Sequence, residues 1–156
     1  MNLIYTFFNY RNLTFRLSNK LTYPEVSKYY LRGKNSADRL VKYIEKHHFE
    51  YILGLGDYRK NSKRIRIEER FMNKYGKNEI IATAPRYYKA TWELPILNNK
   101  IYISDKPSNG PCNRSAYLIS HILHSQNQNT KLAFVHIPKS YKIDKAEGFV
   151  NSWIKV

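Results

Sequence analysis

The chain contains a single cysteine, and that scarcity excludes a good deal. No intrachain disulfide can form, so nothing in the sequence points to an oxidising compartment. There is no Cys-x-x-Cys, no His-Glu-x-x-His and no glycine-rich phosphate loop. Gly54-Leu55-Gly56 is too short to act as a dinucleotide fingerprint. Neither a metal nor an organic cofactor is therefore expected. No apolar run approaches a membrane span in length. The apolar start, Met1 to Phe8, is interrupted by Asn9 and Arg11 too soon for a signal peptide. The expectation is a soluble, cytoplasmic protein without membrane contact. Acidic residues are also few, 12 against 27 Lys and Arg, for a formal charge of +15. That balance permits nucleic acid as a partner. Most of the basic residues are dispersed, however, which favours a solvated surface over a dedicated interface. The densest run lies between Arg59 and Arg70, where Glu68 and Glu69 interrupt it.

What is present is the make-up of a folded domain. Hydrophobic residues account for 42% of the 156 and charged residues for 25%, enough to build a core and keep it in solution. Fourteen Tyr and seven Phe raise the aromatic share to 15%, which suits both a core and an interface. No repeat, linker or shift in composition divides the chain, so residues 1–156 read as one domain.

Helical and extended patterns alternate along it. Leu3 to Phe8 reads as a buried strand. Ser36 to His48 reads as a helix with Leu40, Val41, Ile44 and His47 on one face, capped by Asn35 or Ser36. Tyr51 to Gly54 has the pattern of a central strand entering a loop. Ile65 to Glu69 and Lys100 to Ser104 suit short strands. Pro111 to about Ser125 suits a helix, Leu132 to Ile137 a strand buried on both faces, and Tyr141 to Ile154 a final helix. This order predicts an α/β fold, a three-layer α/β/α sandwich around a mostly parallel sheet. In such sheets, sites form at the carboxyl ends of the strands.

Two residues fall at such places. Cys112 follows Pro111 at the start of a helix that Asn109 or Gly110 could cap. There the free amides and the positive end of the helix dipole would favour a thiolate. His136 ends the most apolar strand, where a rigid base for a thiol belongs. A Cys–His pair needs a third group to orient the imidazole. Glu68 and Glu69 are available after a strand, although composition alone favours a local salt bridge to Arg66 or Arg70 for them.

The same residues stand in a familiar order. Tyr102-Ile103-Ser104, Cys112-Asn113 eight positions on, and Phe134-Val135-His136-Ile137-Pro138 resemble the signature of the pyroglutamyl peptidase I (pyrrolidone-carboxylate peptidase) family. Ile65 to Asn73 is similar to the family segment around its catalytic glutamate, where Asn follows five residues after the acid; on that register the acid is Glu68. Gly54 to Arg59 occupies the place of a Gly-Leu-Ala-x-Gly-Arg loop. Leu94-Pro95-Ile96 matches a Leu-Pro-Ile that precedes a helix in the family, although only Leu97-Asn98-Asn99 follows it here. The chain thus resembles a divergent, shortened member.

The resemblance implies a thiol protease, a hydrolase that removes N-terminal pyroglutamate from blocked peptides. Cys112, His136 and Glu68 would be its catalytic residues, and Phe8 and Leu55 would meet the substrate. No metal or cofactor is implied, and the family's dimers and tetramers extend the expectation to a homo-oligomer. Two family features are missing. The Thr-Gly-Phe-Glu-Pro-Phe-Gly loop is replaced by Thr6 to Asn12, in which only Thr6 and Phe8 persist. An Asp-Ala-Arg-Ile-Pro segment is compressed to Lys74-Tyr75-Gly76-Lys77-Asn78, so its arginine is lost and Lys77, Arg59 or Arg86 remain as substitutes. The rival readings are the same fold with an altered substrate, and an inactive triad on a basic nucleic-acid-binding or structural protein.

Overall fold

Strands whose side chains alternate between two apolar faces need a layer of helices on each side. The computed structural model, which describes residues 1–154, has that arrangement; the last two positions of the 1–156 span lie outside the described residues. In chain order, β1 is Asn2–Phe7, α1 Leu13–Lys20, β2 Val26–Leu31, α2 Ser36–Lys46 and β3 Tyr51–Tyr58. There follow β4 Ile65–Glu68, β5 Arg70–Met72, β6 Tyr87–Lys89 and β7 Ile101–Ser104. The chain closes with α3 Pro111–Ser125, β8 Lys131–Pro138 and α4 Ile143–Ile154.

Six strands form the main sheet in the order β2-β1-β3-β8-β4-β7, and β5 and β6 make a separate antiparallel ribbon. All neighbours in the main sheet run parallel except β4 and β8. The fold is therefore α/β with a mostly parallel sheet, as the alternation predicts. Along β8, Ala133, Val135 and Ile137 face a core shared with Leu13, Leu17, Val150 and Trp153 of α1 and α4. Leu132 and Phe134 face the opposite core, with Leu40 and Ile44 of α2 and Ala116 and Ile119 of α3. This alternation puts His136 on the α3 side of the sheet.

Several local expectations need correction. The strand at Tyr51 does not end at Gly54 but continues through Gly56 to Tyr58. The rings of Phe134 and Tyr5 crowd the space where a Cβ of residue 54 would stand, so glycine here marks close packing and not a turn. Asn35 holds the N-cap position of α2, but it lies in the left-handed region (φ 60°) and makes no capping bond with its side chain. Helix α1, β2, β5 and β6 have no counterpart in the sequence reading. The N-terminus of α1 is capped from far away: Asp57 of β3 accepts hydrogen bonds from the Leu13 and Thr14 amides at 3.0 and 2.9 Å and from the Thr14 hydroxyl at 2.7 Å.

Candidate active site

Pro111 at the first helical position and Gly110 at the N-cap start α3, leaving Cys112 in its first turn. The sulfur turns down onto the sheet. A Cβ added to Gly56 would lie 3.0 Å from Cys112 Sγ and 3.1 Å from the Phe134 ring. Gly56 is the β3 partner of His136 on β8, and neighbouring strands lie about 4.8 Å apart. The Phe134 and His136 rings are 5.0 Å apart between centroids. Sulfur and imidazole therefore occupy one small area of the same sheet face.

The imidazole is buried, 7% exposed, and Glu68 beside it is 4% exposed. His136 Nε2 lies 2.9 Å from Glu68 Oε1. The contact is close, but it is not an aligned hydrogen bond. Glu68 Oε1 and His136 Nδ1 both stay without a hydrogen-bond partner. A buried imidazole with one nitrogen on a carboxylate and the other free is equipped to accept a proton. Glu69, by contrast, is exposed. The two roles considered for Glu68 coexist: its Oε2 accepts a hydrogen bond from Arg66 Nη2 at 3.1 Å.

Arg66 is the cation that touches this pair, being the β4 partner of His136 as well as the ion-pair partner of Glu68. Its guanidinium also donates to the Lys106 carbonyl, in the loop that leads to α3. It lies 5.8 Å from the Tyr58 ring, which is itself 5.7 Å from the imidazole. Lys77, Arg59 and Arg86, the substitutes considered from sequence, are all exposed. Arg66 was legible only as a salt-bridge partner of Glu68 within β4, because its place beside His136 depends on the β4–β8 pairing.

The electrostatics at sulfur reverse the sequence expectation. Burial, then the Glu68 carboxylate, then that of Asp57 push the Cys112 thiol up to about 12. The start of α3 does not offset them. The resting sulfur is a neutral thiol that needs a base.

The residue after the cysteine anchors the helix start. Asn113 Oδ1 accepts from the Met72 amide at 2.8 Å, and its Nδ2 donates to the Met72 and Lys74 carbonyls at 2.8 and 2.9 Å. Asn73 ties the following loop in the same way, bonding the Ile80 and Ile81 amides, both at 2.9 Å. Of the two residues assigned to substrate, Phe8 is half-buried in an aromatic group with Tyr10 and Phe15. Leu55 is fully buried in the core under α1 and α4, on the opposite face from Cys112. Its backbone is paired on both sides, with β1 and β8, so Leu55 does not meet a substrate in the way the resemblance implies. An open cavity of about 550 Å³ adjoins the start of α3, bordered by Pro111, Phe7, Leu31, Tyr75, Lys34 and Arg114.

No protein-family model and no curated protein matches the chain. Solved structures do. The pyrrolidone carboxyl peptidase from Thermococcus litoralis is 18% identical, with 99% of this chain and 91% of that one covered and a TM-score of 0.80. Two mutant pyrrolidone carboxyl peptidases from Pyrococcus furiosus, each 19% identical, align over 99% of this chain and 97% of theirs, with TM-scores of 0.80 and 0.81. Identity this low speaks to architecture alone, and the architecture is clear: the chain has the fold of the pyrrolidone carboxyl peptidases.

Proposed function

We propose that this protein is a cysteine-type peptidase that removes pyroglutamate from the N-terminus of blocked peptides, with Cys112, His136 and Glu68 as its catalytic group. The observation that carries the reading is the buried His136–Glu68 contact of 2.9 Å on the sheet face where the Cys112 sulfur rests over Gly56. The shared fold with pyrrolidone carboxyl peptidases supports it.

In this mechanism the free nitrogen of His136 takes the thiol proton as Cys112 Sγ attacks the carbonyl carbon of the pyroglutamyl residue. The carbonyl oxygen becomes an oxyanion, which the unpaired amides at the start of α3 are suited to hold. The intermediate collapses, the C–N bond breaks, and the leaving amine departs with the proton from His136. A thioester to Cys112 remains. Water, deprotonated by His136, adds to the thioester carbonyl; the C–S bond then breaks, pyroglutamate leaves and the thiol regains its proton. Glu68 stabilises the imidazolium at each stage. No step requires a metal or cofactor.

A thiol pushed up to about 12, chiefly by burial, calls for a base in this mechanism, and that is the role given to His136. A sulfur this reluctant to ionise cannot act as a standing thiolate, so proton removal is coupled to attack. The test is hydrolysis of a fluorogenic pyroglutamyl amide by the wild type, Cys112→Ser and His136→Ala. Turnover by the wild type with a loss of about 10²-fold or more in both variants is expected. Absence of turnover in a correctly folded wild type would overturn the reading.

A further inference from the structure

The cavity beside α3 lies over β1 and β2, across Cys112 from His136 in the strand order. At about 550 Å³ it is of a size that accommodates a whole small ligand, more than a five-membered lactam fills. Phe7, Leu31 and Tyr75 give it apolar walls, and Lys34 and Arg114 stand at its border. Beyond Arg114 the surface continues into a shallow depression formed by Asn35, Asp38, Arg39, Lys42 and Arg114.

Charge along this path is lopsided. Four cations, Lys34, Arg39, Lys42 and Arg114, meet one carboxylate, and that carboxylate is already engaged: Asp38 Oδ2 accepts from Arg114 Nη2 at 3.0 Å. Arg114 also lies 5.8 Å from the Tyr75 ring, which limits its freedom. Arg39 is held by hydrogen bonds to the Lys34 and Arg32 carbonyls at 3.1 and 2.6 Å. Two of the four cations are therefore set in place before a ligand arrives, which lowers the ordering cost of binding. A free α-ammonium or a lysine side chain would meet like charge here, and a carboxylate would meet the opposite.

We propose that this surface selects acidic peptides, with Lys34, Arg39, Lys42 and Arg114 attracting carboxylates near the bond to be cleaved. The proposal rests on the peptidase reading for the position of the cleaved bond, and it adds the class of peptide. A nucleic acid would meet the same cations. The peptide is favoured because the basic path leads into a cavity with apolar walls, one residue from the nucleophile.

The test compares two pyroglutamyl peptides that differ only in the next two residues, Asp-Glu in one and Lys-Lys in the other. At low ionic strength kcat/KM for the acidic peptide should exceed that for the basic one by about tenfold or more, and the ratio should shrink as salt is raised. The combined variant Lys34→Gln, Arg39→Gln, Lys42→Gln should lose most of the ratio. A control that neutralises Lys60, Lys131 and Lys139, distant in sequence and outside this path, should retain it. Binding of the same peptides to Cys112→Ser, followed by calorimetry, reads the preference without turnover. A wild type that cleaves neither peptide but binds the acidic one more tightly would refute the peptidase reading and leave the surface assignment standing. Equal kcat/KM values, or a preference that survives the triple variant, would overturn the proposal. So would a single-stranded oligonucleotide that displaces the acidic peptide from the wild type at lower concentration than the peptide itself binds.

Discussion

The sulfur of Cys112 rests over Gly56, whose missing side chain leaves the space it fills: a Cβ there would lie 3.0 Å from Sγ and 3.1 Å from the Phe134 ring. Both neighbours are held firmly, Phe134 within the core and Cys112 by the helix it begins. Gly56→Ala should therefore push the sulfur away from the imidazole side of the sheet rather than be absorbed. A loss of about 1–3 kcal/mol in stability from overpacking is expected. Hydrolysis should fall further than stability does, because a misplacement of about 1 Å at a reacting atom costs on the order of 10²-fold. Unchanged kcat in a folded Gly56→Ala protein would mean that the sulfur does not need this seat.

The raised thiol value has a sign that can be checked. The folded state keeps the Cys112 proton up to about 12, whereas an unfolded thiol loses it near 8.5. Between those values the unfolded chain binds fewer protons, so stability falls as pH rises, by on the order of 1 kcal/mol per pH unit at most from this group. Below the lower value the group adds no pH dependence. The stability difference between wild type and Cys112→Ala, followed by urea melts from pH 7 to 10, should therefore move in favour of the variant above about pH 8.5. Iodoacetamide should also modify Cys112 at pH 7.5 at least about 10²-fold more slowly than a free thiol. Glu68→Gln, which removes the second-largest cause of the raised value, should quicken that modification.

The features that were legible in the sequence are the ones held by neighbours close along the chain. Pro111 opens α3 where the sequence places it, and the run from Leu132 to Ile137 lies in β8. The His136–Glu68 approach could be anticipated only through a family resemblance, because a cross-sheet contact between residues so far apart leaves no periodicity. Helix α1 escaped for a similar reason: its capping acceptor is Asp57, more than 40 positions away, while Asn12, the residue at its N-cap position, makes no side-chain cap. The charge state of Cys112 was misread because a helix start is a local feature, whereas burial and two carboxylates from other strands are not. Leu55 was placed by position in a motif, and only the register of β3 reveals that its side chain points the other way.

Arg66 ties the acid to its surroundings. It donates to Glu68 Oε2 at 3.1 Å, bonds the Lys106 carbonyl and lies against Tyr58, so its removal frees the carboxylate to turn away from His136. Arg66→Met should lower kcat for the pyroglutamyl amide by about 10²-fold with a smaller change in KM. It should also slow alkylation of Cys112, since the Glu68 charge is then no longer partly balanced. Arg66→Lys keeps the charge but has one ammonium where the guanidinium makes several contacts, so it should recover the alkylation rate more fully than the kcat. Equal loss of both in Met and Lys variants would mean that the guanidinium serves β4–β8 folding alone.

Asp57 supports the site from beneath. It satisfies the Leu13 and Thr14 amides and the Thr14 hydroxyl, so one carboxylate on β3 fixes the start of α1, directly after the loop from Phe8 to Asn12. Asp57→Ala leaves those donors unpaired, and a loss of about 2–3 kcal/mol is expected, more than for an exposed cap. Asp57→Asn keeps one acceptor oxygen and should cost about half as much. The two substitutions should part company in chemistry as well. Both remove a charge that raises the Cys112 thiol, so both should quicken its alkylation. Only Asp57→Ala loosens the α1 start, and only it should raise KM for the blocked peptide. Urea melts give the first comparison and steady-state kinetics the second. A pair of variants equally stable and equally active would show that α1 holds its place without this cap.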